Sequence, residues 1–364
     1  MVIVETVMTE FSDTSIEEEL KSFKVLCIGD PHFRRDNVTE SEEMCAKIYQ
    51  TVDTESPDLI VVMGDVLDSH EHIYTVPLKQ ATDFLYRLSE IKTTYVLIGN
   101  HDRLNNSDFL SEYHPFVGIR HPKLIISSKV IVANIQNFKF VFVPYVPPGR
   151  FMEALNTQQE NIGDLSTVDC IFAHQEIRGT KMSPTTTSTA GDHWPLNNPY
   201  IISGHIHCYS RPQSNVVYCG TPRQVTFGEE EDKSISLFSF DKNTRRFPEE
   251  RRIDLKLKRR INCRVNCKNV VTWVPPEGCL IKLIIEGTSS EIKAIVKLDY
   301  IKRLTKSGIK IVYNTIDEIK QDINKNIGKE EIISRKLPYA ERLKTSLQGK
   351  PKQLHWFNFI FNKK

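Results

Sequence analysis

Four aspartates, five histidines and an asparagine stand where short apolar runs end, and their types and spacing are those of a metal centre. FKVLCIGDPHF ends in Asp30 and His32, DLIVVMGDVLD in Asp65 and Asp68, and TTYVLIGNHDR in Asn100, His101 and Asp102. VDCIFAHQE ends in His174, and PYIISGHIH in His205 and His207. Carboxylate, imidazole and carboxamide are oxygen and nitrogen donors of intermediate hardness. With no thiolate among them they suit Mn²⁺, Fe²⁺ or Zn²⁺, and not Ca²⁺ alone. Seven such donors, two Asp, four His and one Asn, are too many ligands for one open catalytic ion. They fit two ions about 3.5–4 Å apart sharing a carboxylate, the arrangement that clamps the attacking and leaving oxygens of an in-line phosphoryl displacement. A lone Gly-Asp after a strand is more often a turn, and a lone His such as His174 is more often a satisfied polar residue. Five such endings in one chain outweigh those readings.

The elements that must hold these groups read as alternating strands and helices. FKVLCI, DLIVVM, TYVLI, KLIIS, VIVANI, FKFVFV, VDCIFA, PYIISG, NVVYCG and SISLFSF read as strands. Helical spacing appears over 41–52, 78–91 and around 151–162. Strands alternating with helices predict a layered α/β domain with the chemistry at the carboxyl ends of its strands. A Gly precedes the polar residues in four of the five runs and allows close backbone approach. The chain of 364 residues is 40% hydrophobic and 26% charged, proportions that support a buried core and exclude disorder and collagen. No stretch approaches 18 consecutive apolar residues, and the start carries acids where a secretory signal carries bases, so an intracellular, soluble protein with no membrane partner is expected. Eight scattered cysteines without a CxxC pair read as reduced thiols.

Four segments are expected: an acidic extension over 1–21, a catalytic domain over 22–242, a basic β-α-β cap over 243–315 and a helical, aromatic tail over 316–364. In the cap, CLIKLIIEG and GIKIVYN read as strands flanking a helix opened by Ser over SSEIKAIVKLDYIKRL. PTTTST (184–189) reads as a mobile loop. Residues 245–268 hold ten Lys and Arg against three acids. Arg251, Arg252, Lys256, Lys258, Arg259 and Arg260 are thus candidates for phosphate contacts that position a duplex without reading its sequence. A solvated strand pair or a localisation-type cluster is the alternative. His70 and His72 in DSHEH are either substrate-phosphate contacts or a solvated loop.

In order, D-x-H, G-D-x-x-D, G-N-H-D, a lone His and G-H-x-H resemble the calcineurin-like metallophosphoesterases over roughly residues 23–240. The resemblance implies a four-layer αββα sandwich with a small C-terminal β-α-β cap. It also implies a division of labour: Asp30, His32 and His207 on one ion, Asn100, His174 and His205 on the other, and Asp65 bridging. His101 would be the group that stabilises the transition state or protonates the leaving oxygen, with Asp102 orienting its second nitrogen. Within the superfamily, GDVLDSH and GNHDR depart from the Ser/Thr protein phosphatases. The set looks most like the Mre11/SbcD-type nucleases of DNA repair, recombination and replication, and FAHQEIRGTKM resembles their phage-type members. That likeness implies Mn²⁺-dependent exo- and endonuclease activity on DNA (Mg²⁺, Fe²⁺ or Zn²⁺ being alternatives), in the cytoplasm, nucleoid or nucleus. It further implies a homodimer using helices near 78–91 and 107–116, and a Rad50/SbcC-type ATPase docked on the helix at 316–335 or the tail around Trp356, Phe357, Phe359, Ile360 and Phe361. A small-molecule or nucleotide phosphodiesterase shares every ligand, and a non-catalytic adaptor on the same fold would bind no metal.

Overall fold

Both faces of the strand over FKVLCI are apolar because both are covered. The computed structural model describes residues 22–70, 72–183, 185–241, 247–316 and 347, and the chain divides into two units, 1–260 and 261–364. The first unit runs β1 (Phe23–Ile28), α1 (Val38–Glu55), β2 (Leu59–Val62), α2 (Thr75–Ile91), β3 (Thr94–Leu97), β4 (Leu124–Ser127), β5 (Ile131–Ile135), β6 (Phe138–Val143), α3 (Phe151–Asn156) and α4 (Gln159–Ile162). It continues with β7 (Cys170–Ala173), β8 (Lys181–Ser183), β9 (Thr186–Thr187), β10 (Tyr200–Ser203), β11 (Ser210–Gln213), β12 (Val216–Tyr218), β13 (Ile235–Phe240) and β14 (Glu249–Ile253). One six-stranded sheet has the order β14-β13-β1-β2-β3-β4 and the other β11-β12-β10-β7-β6-β5. β1 to β4 are mutually parallel, as are β6, β7, β10 and β12.

Alternation along the strands divides the core into three seams. Val25, Cys27, Leu59 and Val61 point between the sheets and meet Phe140, Phe142, Phe172 and Tyr200. Leu26, Ile28, Ile60 and Val62 point the other way, under Met44, Ile48 and Val52 of α1 and Phe84, Leu85 and Leu88 of α2. The second sheet's outer face carries Phe151, Leu155 and Ile162 of α3 and α4. The layers are therefore α, β, β, α. Strands buried on both faces have to be continuous apolar runs, which is why they stand out in the sequence.

The second unit is a three-stranded sheet, β15-β16-β17, formed from β15 (Arg259–Asn266), β16 (Cys279–Gly287) and β17 (Lys310–Thr315). β16 and β17 are parallel and joined by α5 (Ser289–Ile295) and α6 (Asp299–Lys306), over a core including Leu283, Ile285, Ile295, Ile301 and Leu304. Thr288, not a serine, caps α5, in a capping box with Glu291.

Several expectations need correction. The unit boundary falls at 260/261 rather than 242/243, because β14 pairs antiparallel with β13 and extends the first sheet. Residues 107–116 form no helix; Asn105 caps a turn by accepting from the backbone N–H groups of Ser107 and Asp108. The helix around 151–162 is two short ones, and that of the cap breaks between Ile295 and Asp299. Of the PTTTST stretch, Thr186 and Thr187 form β9, a short hairpin partner of β8. The acidic extension, the 316–335 helix beyond Ile316 and the aromatic tail lie outside the described residues.

Candidate metal centre

The donors follow the carboxyl ends of β1, β2, β3, β7 and β10, where the two sheets bring them to one edge. Three sit in the left-handed backbone region although none is glycine: His32 at φ 47°, Asp65 at φ 47° and His205 at φ 80°. Each such residue costs about 1–3 kcal/mol and persists only where its surroundings dictate it. Close approach between motifs explains two of the glycines. A Cβ on Gly99 would lie 2.2 Å from the backbone nitrogen and Oδ1 of Asp65, and one on Gly204 would lie 2.5 Å from Asp30 Oδ1.

Two groups of donors result, Asp30 with His32 and His207, and Asp65 with His174 and His205, the atoms in each lying within 4.8 Å of one another. His32 Nε2 and His207 Nε2 are 3.0 Å apart. Asn100 Oδ1 lies 3.0 Å from His174 Nε2 and 2.9 Å from His205 Nδ1. Asp65 spans the groups, with Oδ1 3.4 Å from His174 Nε2 and Oδ2 3.9 Å from His32 Nε2. Donors bound to one ion at about 2.0–2.2 Å stand about 3–3.5 Å apart, so the set fits a pair of divalent ions with Asp65 reaching both. Asp30, His32, Asp65 and His174 are all at most 2% exposed. Burying that many polar donors without charge compensation would be costly.

The remaining ring nitrogens are held from behind. His174 Nδ1 donates to the Met63 carbonyl at 2.7 Å, and His207 Nδ1 lies 3.0 Å from Glu229 Oε1. Burial alone would discharge His174, but Asp65 and Asp30 outweigh it and push the imidazole up to about 9. Burial and the neighbouring His174 drive His205 down to about 3. Burial and the charge of Asp65 raise Asp30, whereas Asp65 is held well below its ordinary value because His174 and His32 overcome its own burial.

His101 borders the two groups, its ring 5.1 Å from that of His32. Its backbone N–H donates to Asp65 Oδ1 at 2.8 Å, and its Nδ1 donates to the Asp68 carbonyl at 2.6 Å. Since a carbonyl only accepts, Nδ1 carries a proton and Nε2 is the nitrogen left for chemistry. Asp102 does not orient this ring, contrary to expectation. Its carboxylate accepts from the backbone N–H groups of Val66, Leu67 and Gly99, clasping two motif loops together. Burial and Asp65 lift it to about 7 despite those donors. His70 stacks on His101 with centroids 4.3 Å apart, and His72 is exposed, its carbonyl accepting from Ser69 Oγ.

The basic run is largely offset by acids distant in sequence. Arg251 pairs with Glu55 and Arg260 with Glu40, while Arg252 pairs with Asp232 at 2.9 Å, Lys256 with Asp254 at 2.8 Å and Arg259 with Glu231 at 2.9 Å. Arg260 is buried. Among the described residues, only Lys258 of the six makes no such pair, and it is exposed.

A family model described as calcineurin-like phosphoesterase matches residues 23–209, the span that carries all five motifs. The chain belongs to this family. Invertebrate iridescent virus 6 encodes "Putative phosphoesterase 244L", 38% identical over 75% of this chain and 97% of its own length. "Putative phosphoesterase 078R" of Invertebrate iridescent virus 3 is 35% identical over 82% of this chain and 86% of its own. More distantly, a subunit of the nuclease SbcCD of Staphylococcus epidermidis is 26% identical over 56% of this chain and 61% of its own. As a calcineurin-like phosphoesterase the chain is a metal-dependent hydrolase of phosphoesters, and no helix among the described residues is long and apolar enough to cross a membrane. The family motifs did not point to Glu229 behind His207, to Lys233 beside it, or to Arg223, whose Nη2 donates to the carbonyls of Pro31 and His32 at 3.1 and 3.3 Å. Glu229 lies in GEEED, which reads as a solvated acidic turn.

Proposed function

We propose that this phosphoesterase is a two-metal DNA phosphodiesterase of the Mre11/SbcD type, with Mn²⁺ as its ion. The observation that carries the hydrolytic part is Asp65 spanning two donor groups with His101 Nε2 left unengaged by the Asp68 carbonyl contact. In this reading Asp30, His32 and His207 would hold one ion and Asn100, His174 and His205 the other, with Asp65 placed to serve both. The ions supply charge neutralisation on the phosphoryl oxygens and activation of water. His101 would deliver a proton from Nε2 to the departing 3′ oxygen, while its Nδ1–H bond to the Asp68 carbonyl fixes which nitrogen is free to do so. The DNA part is supported by the motif order and by the likeness to a nuclease component. A homodimer and a Rad50/SbcC-type ATPase partner belong to the same proposal.

A small-molecule or nucleotide phosphodiesterase is the second reading. It is favoured by the ion pairs that offset Arg251, Arg252, Lys256, Arg259 and Arg260. The deciding experiment is Mn²⁺-dependent degradation of end-labelled linear DNA with His101→Ala alongside. Cleavage that falls about 10²–10⁴-fold in the variant supports the nuclease. Hydrolysis of a chromogenic diester that DNA neither competes with nor replaces supports the second reading.

A further inference from the structure

The segment following β12 is tied to the two motifs that supply Asp30, His32 and His207. Thr221 Oγ1 and Lys233 Nζ donate to the His207 carbonyl, at 3.4 and 2.8 Å. Arg223 Nη2 donates to the carbonyls of Pro31 and His32, and Arg34 Nη2 donates back to Val225 O at 2.9 Å. Glu229 is the centre of this strap. Its Oε1 meets His207 Nδ1 at 3.0 Å, and its Oε2 accepts from Val225 N at 3.0 Å and from the buried Lys233 Nζ at 2.9 Å. Its side chain is 12% exposed. Among the described residues, no hydrogen bond from 221–233 reaches Asp65, Asn100, His174 or His205. His174 is instead oriented by a backbone carbonyl.

A carboxylate accepts, so the contact fixes the proton on His207 Nδ1 and turns the Nε2 lone pair toward His32. A negatively charged partner also makes the ring a stronger donor than a neutral carbonyl does. We infer that Glu229 is a positioning residue acting through His207, and that it sets the ion affinity of the Asp30–His32–His207 group without setting that of the other. This rests on the reading that each group holds one ion.

The test is a Mn²⁺ titration of the metal-depleted full chain, followed by the loss of the free-ion electron paramagnetic resonance signal, with Co²⁺ absorption spectra in parallel and His207→Ala as the reference for an emptied group. Wild type is expected to bind two ions. Glu229→Gln should weaken one of them by about 10–100-fold and leave the other within about two-fold, losing the same Co²⁺ band that His207→Ala loses. Glu229→Asp keeps the charge with a shorter reach, and should lose the same ion by a smaller factor, which keeps the inference testable if the amide variant folds poorly. Two ions bound as tightly in Glu229→Gln as in wild type, or both weakened alike, would overturn the inference alone. A wild-type chain that binds fewer than two ions would overturn the two-ion reading itself.

Discussion

An ion entering the centre meets a histidine that carries a proton. His174 is pushed up to about 9 by Asp65 and Asp30 against its own burial, so at neutral pH a divalent ion must displace that proton to bind its nitrogen. Calorimetry of Mn²⁺ binding in buffers of different protonation heat is expected to show release on the order of one proton, with affinity falling as pH falls. The same shift has a consequence for the metal-free fold. Because the folded value lies above the ordinary 6.5, the stabilisation is complete below about 6.5 and disappears as pH rises through about 9. At Asp102 a different outcome is expected. Asp102→Asn sets an amide N–H against one of the three backbone N–H groups that now donate to the carboxylate, and should destabilise the chain by about 1–3 kcal/mol in urea unfolding. It should leave the pH dependence of turnover nearly unchanged, since the carboxylate makes no bond to His101. The ligand types were legible in the sequence because each interrupts an apolar run. Asp102, by contrast, was read from its neighbour in the chain, whereas its partners Val66 and Leu67 belong to another motif.

Strands positioned these groups more legibly than loops did. β1, β2, β3, β7 and β10 are buried on both faces, so their apolar runs admit no other reading, and the donors follow at their ends. Residues 107–116, a helix only by resemblance, form none, because the Asn105 side chain captures the backbone there. The basic run is hard to weigh from sequence for a related reason. Charge counted along the chain misses Glu55, Asp232, Glu231 and Glu40, which arrive from other elements. Lys258→Glu is therefore the variant of choice for asking whether this surface touches DNA. It is expected to lower the slope of log affinity against log salt by about one phosphate contact, whereas Arg260→Glu would act mainly by burying an unpaired carboxylate beside Glu40. At the sheet edge, Gly99→Ala places a methyl group against Asp65. Its expected cost is about 1–3 kcal/mol from overpacking, with loss of metal binding read in the same titration.

At the scale of the whole molecule, the division at 260/261 leaves each unit with its own core. Leu283, Ile285, Ile301 and Leu304 pack with residues of the second unit, and the three seams of the first draw on none of them. A chain ending at Arg260 is accordingly expected to melt cooperatively and to keep chromogenic diester hydrolysis within a few-fold of the full chain. A collapse of the melting transition would show that the first unit depends on the second. Length and composition made a two-unit chain legible, but the boundary was not, because β14 differs from the cap strands only in the partner it pairs with.

β1 lies in the middle of its sheet, and its two neighbours are made at very different times. β2 follows within a few dozen residues, but β13 begins at Ile235. At about 5–20 residues per second of synthesis, the far edge of β1 waits roughly 10–40 s for its partner. During that interval FKVLCI presents an unpaired strand edge, apolar but for Lys24, on the nascent chain, the kind of surface that pairs with other chains. Asp30 and His32 hang from that strand and His207 is held by Glu229, which emerges only just before β13. The Asp30–His32–His207 group is therefore among the last parts of the first unit to be assembled, and an ion supplied during translation would find that group fully supported only when the unit is nearly finished.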